Sequence, residues 1–373
     1  VRFHWFLPTG GDDERLGARS HGVSIGGAST AGSVDGHREA TLEYLTELAV
    51  TVEELGFEAV LTPTGGHCED AWLVTAALIP ATTRLKFLVA FRPGAVSPVT
   101  SAQMVSTFHR LSGGRVLLNV VVGGDDAEQR AYGDTLAKDQ RYARADEFLR
   151  IARAVGDGAS VTASGTYFTV DRPNGGGFAG QAPVPLPDVY FGGSSDAALR
   201  VAAKHADVYL TWGEPPHAVA EKLTRVRSLA AEHGRTVRGG LRIHVITRDT
   251  AGEAWDRAEE LIADVDDATI ATRHAQLSAL GSEGQRRMSA LHGGDRRALI
   301  VGPNLWAGIG LVRGGAGTAL VGSNDEIVER LEEYRDAGVD EFILSGYPHI
   351  EEARHVGAVL SRIRSHEQKE FAS

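Results

Sequence analysis

Leu241-Arg242-Ile243-His244-Val245-Ile246 is the stretch from which the fold can be read. Side chains along a strand point to opposite faces in turn, so Arg242 and His244 share one face while Leu241, Ile243 and Val245 share the other. The apolar face suits packing against outer helices, which leaves Arg242 and His244 facing an enclosed interior. A buried arginine without a partner is costly, so the position needs a carboxylate or an anionic ligand. An internal salt bridge and an anion site both satisfy that requirement.

Working outward, short apolar runs alternate with longer segments of helical period, the pattern of a parallel α/β fold. Eight strand candidates emerge at residues 3–7, 59–62, 86–91, 116–122, 189–192, 208–211, 241–246 and 341–344. Helical runs at 40–55, 141–155, 216–232, 325–337 and 350–363 fall between or after them. Eight such units predict an α/β fold of the (β/α)8 TIM barrel type, as a single domain over 1–373. Three stretches fit neither period and read as insertions near 17–36, 162–187 and 266–317. The last is too long for a routine connection and is expected to act as a lid, or else as an ordered insertion at an oligomer interface.

Composition narrows the partners. Acidic and basic residues are mixed along the whole length with a net charge of -11, so no basic stripe offers a footprint for nucleic acid. No run approaches the roughly 20 apolar residues of a membrane span. A single cysteine, Cys68, excludes an intrachain disulfide framework, and no cationic, apolar leader opens the sequence, which points to a reducing, cytoplasmic setting. The 45 glycines gather after apolar runs, where tight turns or close approach to a ligand need them.

In a (β/α)8 barrel the chemistry sits where strands end, and here those ends are polar and aromatic. In order they carry Trp5 and Thr9, Thr64 and Cys68, Arg92, Asn119 with Gly123 and Gly124, Gly192 to Ser195, Trp212 with Glu214, His244, and Tyr347 with His349. Arg313, in a glycine-rich stretch, adds another donor suited to the planar oxygens of a carboxylate, phosphate or sulfonate, although such a loop arginine is often merely solvated. Gly192-Gly193-Ser194-Ser195-Asp196 reads as a strand end, a glycine turn and a capped helix start, which would hold a phosphate on backbone N–H groups, with Tyr142 and Asn119 as further donors. The same run is also an ordinary turn with an N-cap. Cys68 beside His67 allows a nucleophilic pair, but a lone cysteine is more often a small packed residue. The histidines are dispersed, with no HxxxH or CxxC spacing, so no metal site is expected.

Several blocks are more specific than these patterns: Phe3-His4-Trp5-Phe6-Leu7-Pro8-Thr9, residues 64–72, Leu88-Val89-Ala90-Phe91-Arg92-Pro93, residues 190–196 and 209–216, Arg242-Ile243-His244-Val245-Ile246, residues 303–308, 311–322 and 344–349. In order and over nearly the whole chain, they resemble the bacterial luciferase-like flavin monooxygenases and, within them, the two-component alkanesulfonate monooxygenases. The resemblance implies reduced FMN (FMNH2) supplied in trans by an NAD(P)H-dependent FMN reductase, O2 as co-substrate, a flavin hydroperoxide, and conversion of an organosulfonate into an aldehyde and sulfite. It implies a catalytic pocket of Arg242, His244, Arg313, Tyr347 and His349, with Cys68 near the flavin. The arginines would hold the sulfonate; His244 or an arginine-assisted peroxide would move the α-proton. Thr64, Asn119, Tyr142, Gly193, Ser194 and Ser195 are expected on the cofactor, and Trp5, Arg92 and Trp212 on the substrate. A homodimer or homotetramer is the expected assembly. The stretch 17–36 is longer and richer in Gly and Ser than the family pattern, which admits methanesulfonate or sulfoquinovose beside simple alkanesulfonates. Two rivals are a deazaflavin-dependent oxidoreductase of the same superfamily and a catalytically silent flavin-binding barrel.

Overall fold

The computed structural model describes residues 1–17 and 36–372, with side chains through 365. Eight parallel strands follow one another in chain order: β1 (Arg2–Phe6), β2 (Ala59–Thr62), β3 (Lys86–Phe91), β4 (Val116–Val120), β5 (Val189–Gly192), β6 (Val208–Trp212), β7 (Arg238–Arg248) and β8 (Glu341–Ser345). Each pairs with its neighbour, and β8 returns to β1, so the sheet closes into the expected (β/α)8 barrel. All eight strands lie where the apolar runs predicted them.

The period of two decides which residues fill which core. On β7, Leu241, Ile243 and Val245 point outward into the large core shared with the helices, beside Leu223, Val226 and Leu331. Inward residues of the other strands, among them Leu61, Leu88, Leu117, Tyr190 and Ile343, fill the lumen. The lumen's lower end is closed by a polar plug. Buried Glu341 accepts hydrogen bonds from His4 Nε2 at 3.1 Å, Tyr190 Oη at 2.5 Å and Arg238 Nη1 at 2.5 Å. Burial alone would raise its pKa, but the bonds from His4 and Tyr190 and the Arg238 charge outweigh that and hold the carboxyl at about 2. With that end satisfied internally, the opposite end is left for a ligand.

β7 is unusually long. Its first part pairs with β6 and β8, whereas residues 244–248 pair with an extra parallel strand, Ala319–Ser323, that lies outside the barrel. The antiparallel pieces Leu305–Trp306 and Ile300–Gly302 extend that outer sheet.

Of the three proposed insertions, 18–35 lies outside the described residues; short strands Asp12–Asp13 and His37–Arg38 pair across its base. The second is only partly irregular, since an antiparallel hairpin of Val161–Ser164 and Thr169–Arg172 opens it. The third is more ordered than expected. It contains helices Asp267–Ser278 and Glu283–His292, the two antiparallel pieces and two short 3-10 turns, Arg296–Ala298 and Gly308–Leu311. These helices bury few apolar residues, chiefly Ile270, Leu277 and Met288, so their period was too sparse to read. Among the described residues no helix is long and apolar enough to cross a membrane.

Candidate active site

A cavity of about 370 Å³ opens at the carboxyl ends of the barrel strands, within the ~300–1,000 Å³ usual for small-molecule sites. Its floor is the top of the lumen core, Phe6, Leu61 and Leu210. Around it stand Thr64, Cys68, Asn119, Tyr142, Gly193, Ser194, Ser195, Trp212, Arg242, His244, Arg313, Tyr347 and His349, all expected from the sequence.

Two expected substrate residues do not line it. Trp5 is fully buried on the outer side of β1, tilted against Phe57, with its ring edge toward His349. The alternation that sends His4 and Phe6 inward sends Trp5 toward the helices. Arg92 is paired with Glu128 at 2.7 Å and lies over the Tyr132 ring, while Glu128 accepts the Gly66 N–H at 2.9 Å. That arginine braces the loop carrying Thr64 and Cys68 and does not face the cavity.

The polar residues form two groups. In the first, Arg242 Nη1 donates to Ser345 Oγ at 2.7 Å and its guanidinium lies over the Phe6 ring at 4.6 Å. Arg313 lies over the Tyr347 ring at 4.5 Å, and its Nη1 is buried with no hydrogen-bond partner. Among the described residues no carboxylate forms an ion pair with either arginine, so the internal salt bridge allowed by the sequence is not what holds them. Burial, and for Arg242 also the charge of Arg313, holds their pKa values down at about 9 and about 10. Both remain cationic at neutral pH. Burial and the two arginine charges push His244 and His349 well below the usual histidine range, so both rings are neutral. Tyr347 stacks on His244 at 5.3 Å and meets His349 edge-on at 5.0 Å. Burial pushes the Cys68 thiol up to about 12, although the nearby Thr9 hydroxyl acts in the opposite sense. It stays protonated, which removes the thiolate a nucleophilic role would need.

The second group surrounds the start of helix Asp196–His205, whose N-cap is Ser195. Gly193 has φ of +134°, and a Cβ there would stand 2.6 Å from Ala198 Cβ and 3.0 Å from the Tyr142 hydroxyl. The turn is therefore a cradle that only glycine keeps open. Burial raises the pKa of the Tyr142 hydroxyl, and the neighbouring Ser195 side chain partly offsets that rise. Lys138 lines the cavity as well, its Nζ donating to the Gly281 carbonyl at 2.5 Å. Helix start, hydroxyls and an ammonium make this group fit a flavin phosphate.

Three contributors escaped the sequence reading. Ser345 lies one residue beyond the expected end of β8, two after inward Ile343, and the same alternation extended by one step finds it. Lys138 precedes Tyr142 by four residues on one helix, hence on the same face. Gln285, from the third insertion, lines the cavity and accepts the Gly315 N–H at 2.9 Å, bracing the turn next to Arg313. That insertion also supplies Leu280, Ser282, Glu283 and Gly284 to the wall. It is tied to the barrel by an ion pair between Arg287 and Glu214.

A family model described as luciferase-like monooxygenase matches residues 1–341. Among solved structures, a riboflavin lyase superposes with a TM-score of 0.77 at 20% identity, covering 98% of this chain and 92% of that one. A long-chain alkane monooxygenase gives 0.73 at 20% identity, with 97% and 91% covered. The EDTA monooxygenase of Chelativorans sp. BNC1 gives 0.75 at 18%, with 98% and 94% covered. At these identities the likeness speaks for the fold.

Proposed function

Because the chain belongs to the luciferase-like monooxygenase family, we propose that it is a flavin-dependent monooxygenase that uses reduced FMN and O2 to cleave the C–S bond of an organosulfonate, yielding an aldehyde or other carbonyl product and sulfite. One observation carries the substrate class: Arg242 and Arg313 are buried and cationic on the cavity wall, neither forms an ion pair with a carboxylate among the described residues, and Arg313 Nη1 has no hydrogen-bond partner. An uncompensated buried charge costs several kcal/mol, and an anionic substrate offsets it. Two forked guanidiniums match a sulfonate's three oxygens better than ammonium groups would.

The atoms balance for an alkanesulfonate. One α-hydrogen leaves as a proton, the C–S electron pair departs with sulfite, one oxygen of O2 enters the carbonyl, and the other becomes water. Reduced flavin, when bound, activates O2 and supplies the two electrons. Gly193, Ser194, Ser195, Tyr142 and Lys138 would hold its phosphate, and Thr64, Asn119 and Cys68 would line the remainder. Phe6, Leu61 and Leu210 keep the floor apolar and exclude water. Tyr347, packed between His244 and His349, would donate to a substrate oxygen.

Gly175-Gly176-Gly177-Phe178-Ala179-Gly180 has the spacing of a dinucleotide fingerprint, but it follows an antiparallel hairpin and precedes no helix before β5. This supports a separate NAD(P)H-dependent FMN reductase as partner. Assembly into a homodimer or homotetramer belongs to the same reading; exposed Leu73 and Leu111 give it apolar surface to bury. The test is sulfite release and oxygen uptake from a panel of sulfonates, including methanesulfonate, octanesulfonate and sulfoquinovose, with an FMN reductase present. Hydride transfer with a reduced deazaflavin and no oxygen uptake would replace the proposal.

A further inference from the structure

The two pocket histidines are held in opposite ways. His244 Nε2 lies 3.0 Å from the Ala316 carbonyl oxygen, which can only accept, so Nε2 carries the proton. In the neutral ring Nδ1 is then a bare lone pair. Ser345 Oγ lies 2.6 Å from it and must donate its hydroxyl proton there. The serine oxygen in turn accepts from Arg242 Nη1 at 2.7 Å. Carbonyl, imidazole, hydroxyl and guanidinium admit one arrangement of protons, with both nitrogens of His244 occupied.

His349 is the reverse case. Its ring is gripped without hydrogen bonds, stacked on Phe6 at 5.7 Å and meeting Trp5 and Tyr347 edge-on. Nδ1 and Nε2 are both buried and both lack a partner. Its backbone N–H, not its ring, is what Asp12 accepts, at 2.7 Å. A buried polar ring with two unsatisfied nitrogens on the wall of a ligand cavity is a group awaiting a ligand.

We infer that Ser345 is a positioning residue that locks His244 as its Nε2–H tautomer, and that the proton released from the substrate's α-carbon is taken by a ring nitrogen of His349, not by His244. The inference rests on the organosulfonate reading. The step itself comes after the C–S pair has left with sulfite and one oxygen of O2 is bonded to the α-carbon. The C–H bond breaks, its electron pair becomes the second C–O bond of the carbonyl, the O–O bond breaks with its pair leaving on the other oxygen, and the proton forms an N–H bond on His349. Burial is the main cause that holds His349 neutral, with the charges of Arg313 and Arg242 adding to it; a bound sulfonate offsets the two charges and so shifts the ring toward its protonated form. The proton returns to solvent after sulfite leaves.

Two measurements test this. Ring-nitrogen 15N spectra of the whole chain, without flavin, should show one His244 tautomer, protonated at Nε2 and unchanged when octanesulfonate is added. The Ser345→Ala chain should show a mixture of tautomers. In turnover, His349→Gln should lower kcat by about 100-fold or more with KM for the sulfonate little changed. His244→Asn, which keeps an acceptor for Ser345, should cost less than about tenfold in kcat, and Ser345→Ala should act mainly by raising KM through a loosened Arg242. Thermal melting of each variant separates lost chemistry from lost fold. A His244 protonated at Nδ1, or His244→Asn losing as much kcat as His349→Gln, overturns the inference. Spectra need no turnover, so a locked His244 in a chain that releases no sulfite from any sulfonate sinks the functional reading instead and leaves the lock standing.

Discussion

Replacing Arg313 with methionine should move stability and activity in opposite directions. The guanidinium is buried, makes no ion pair among the described residues, and has its pKa held at about 10. Against an ordinary value of ~12.5, keeping it charged costs roughly 3 kcal/mol of folding free energy at neutral pH. The sign follows from the lowered pKa: the cost is fully present below about 10 and is relieved only as pH rises toward the unfolded value. Methionine removes the charge and most of the volume change, and forfeits a cation–π contact with Tyr347 worth about 1 kcal/mol. The net gain is about 2 kcal/mol, or roughly 2–3 °C in Tm for a chain of this length. Sulfite release should fall about 30- to 1000-fold in kcat/KM, the loss of about 2–4 kcal/mol of charge stabilisation in a dry site. Calorimetry and a coupled sulfite assay on one preparation give both numbers. Arg92→Met is the control, since it breaks a real ion pair with Glu128 and should melt lower. If Arg313→Met melts several degrees lower, or turns over near the parental rate, the arginine holds the fold and the anion-site argument collapses.

The pH profile of kcat/KM should stay level near neutrality and fall above about pH 9 as Arg242 loses its proton; a bound anion raises that pKa, so the limb in kcat should lie higher, and coincident limbs would count against an arginine–anion contact. Burial raises Asp12 to about 6, so the folded chain holds a proton that the unfolded chain has lost, and stability should decline by about 3 kcal/mol as pH rises from about 4 to 6 and stay level above; Asp12→Asn should flatten that decline in urea melts. Limited proteolysis within residues 266–317 should slow when FMN and a sulfonate are added together, whereas equal rates would favour a fixed insertion at an oligomer interface over a lid. The purified chain should be nearly colourless, bind reduced FMN more tightly than oxidised, and turn over no NAD(P)H alone; NAD(P)H oxidation by this chain would remove the need for a reductase.

The barrel was legible because each strand is a short apolar run with turn residues behind it, and because two-residue alternation announces itself on β7, where charge and aliphatics take turns. Applying the same rule to β1 would have turned Trp5 outward; treating every aromatic at a strand end as a ligand contact obscured this. Arg92 could not be placed from sequence, since its partner Glu128 arrives from the next loop. Ser345 was lost by ending β8 one residue short. The outer strand Ala319–Ser323 gave no signal of its own, because its partner is the far half of β7, more than 70 positions earlier in the chain. The two helices over the cavity rest on the barrel with a thin apolar stripe, and polar contacts such as Arg287 with Glu214 hold them where periodicity is silent.

The length of β7 has an architectural consequence. Arg242 and His244 sit where the strand leaves the closed barrel, and the residues beyond them form a tab onto which further strands attach by ordinary sheet hydrogen bonds. Whatever is built on that tab is registered against Arg242 and His244 without disturbing barrel closure, because the two sets of hydrogen bonds meet only at His244. Substrate range could therefore diversify by exchanging the attached module while the chemistry beneath it stays fixed.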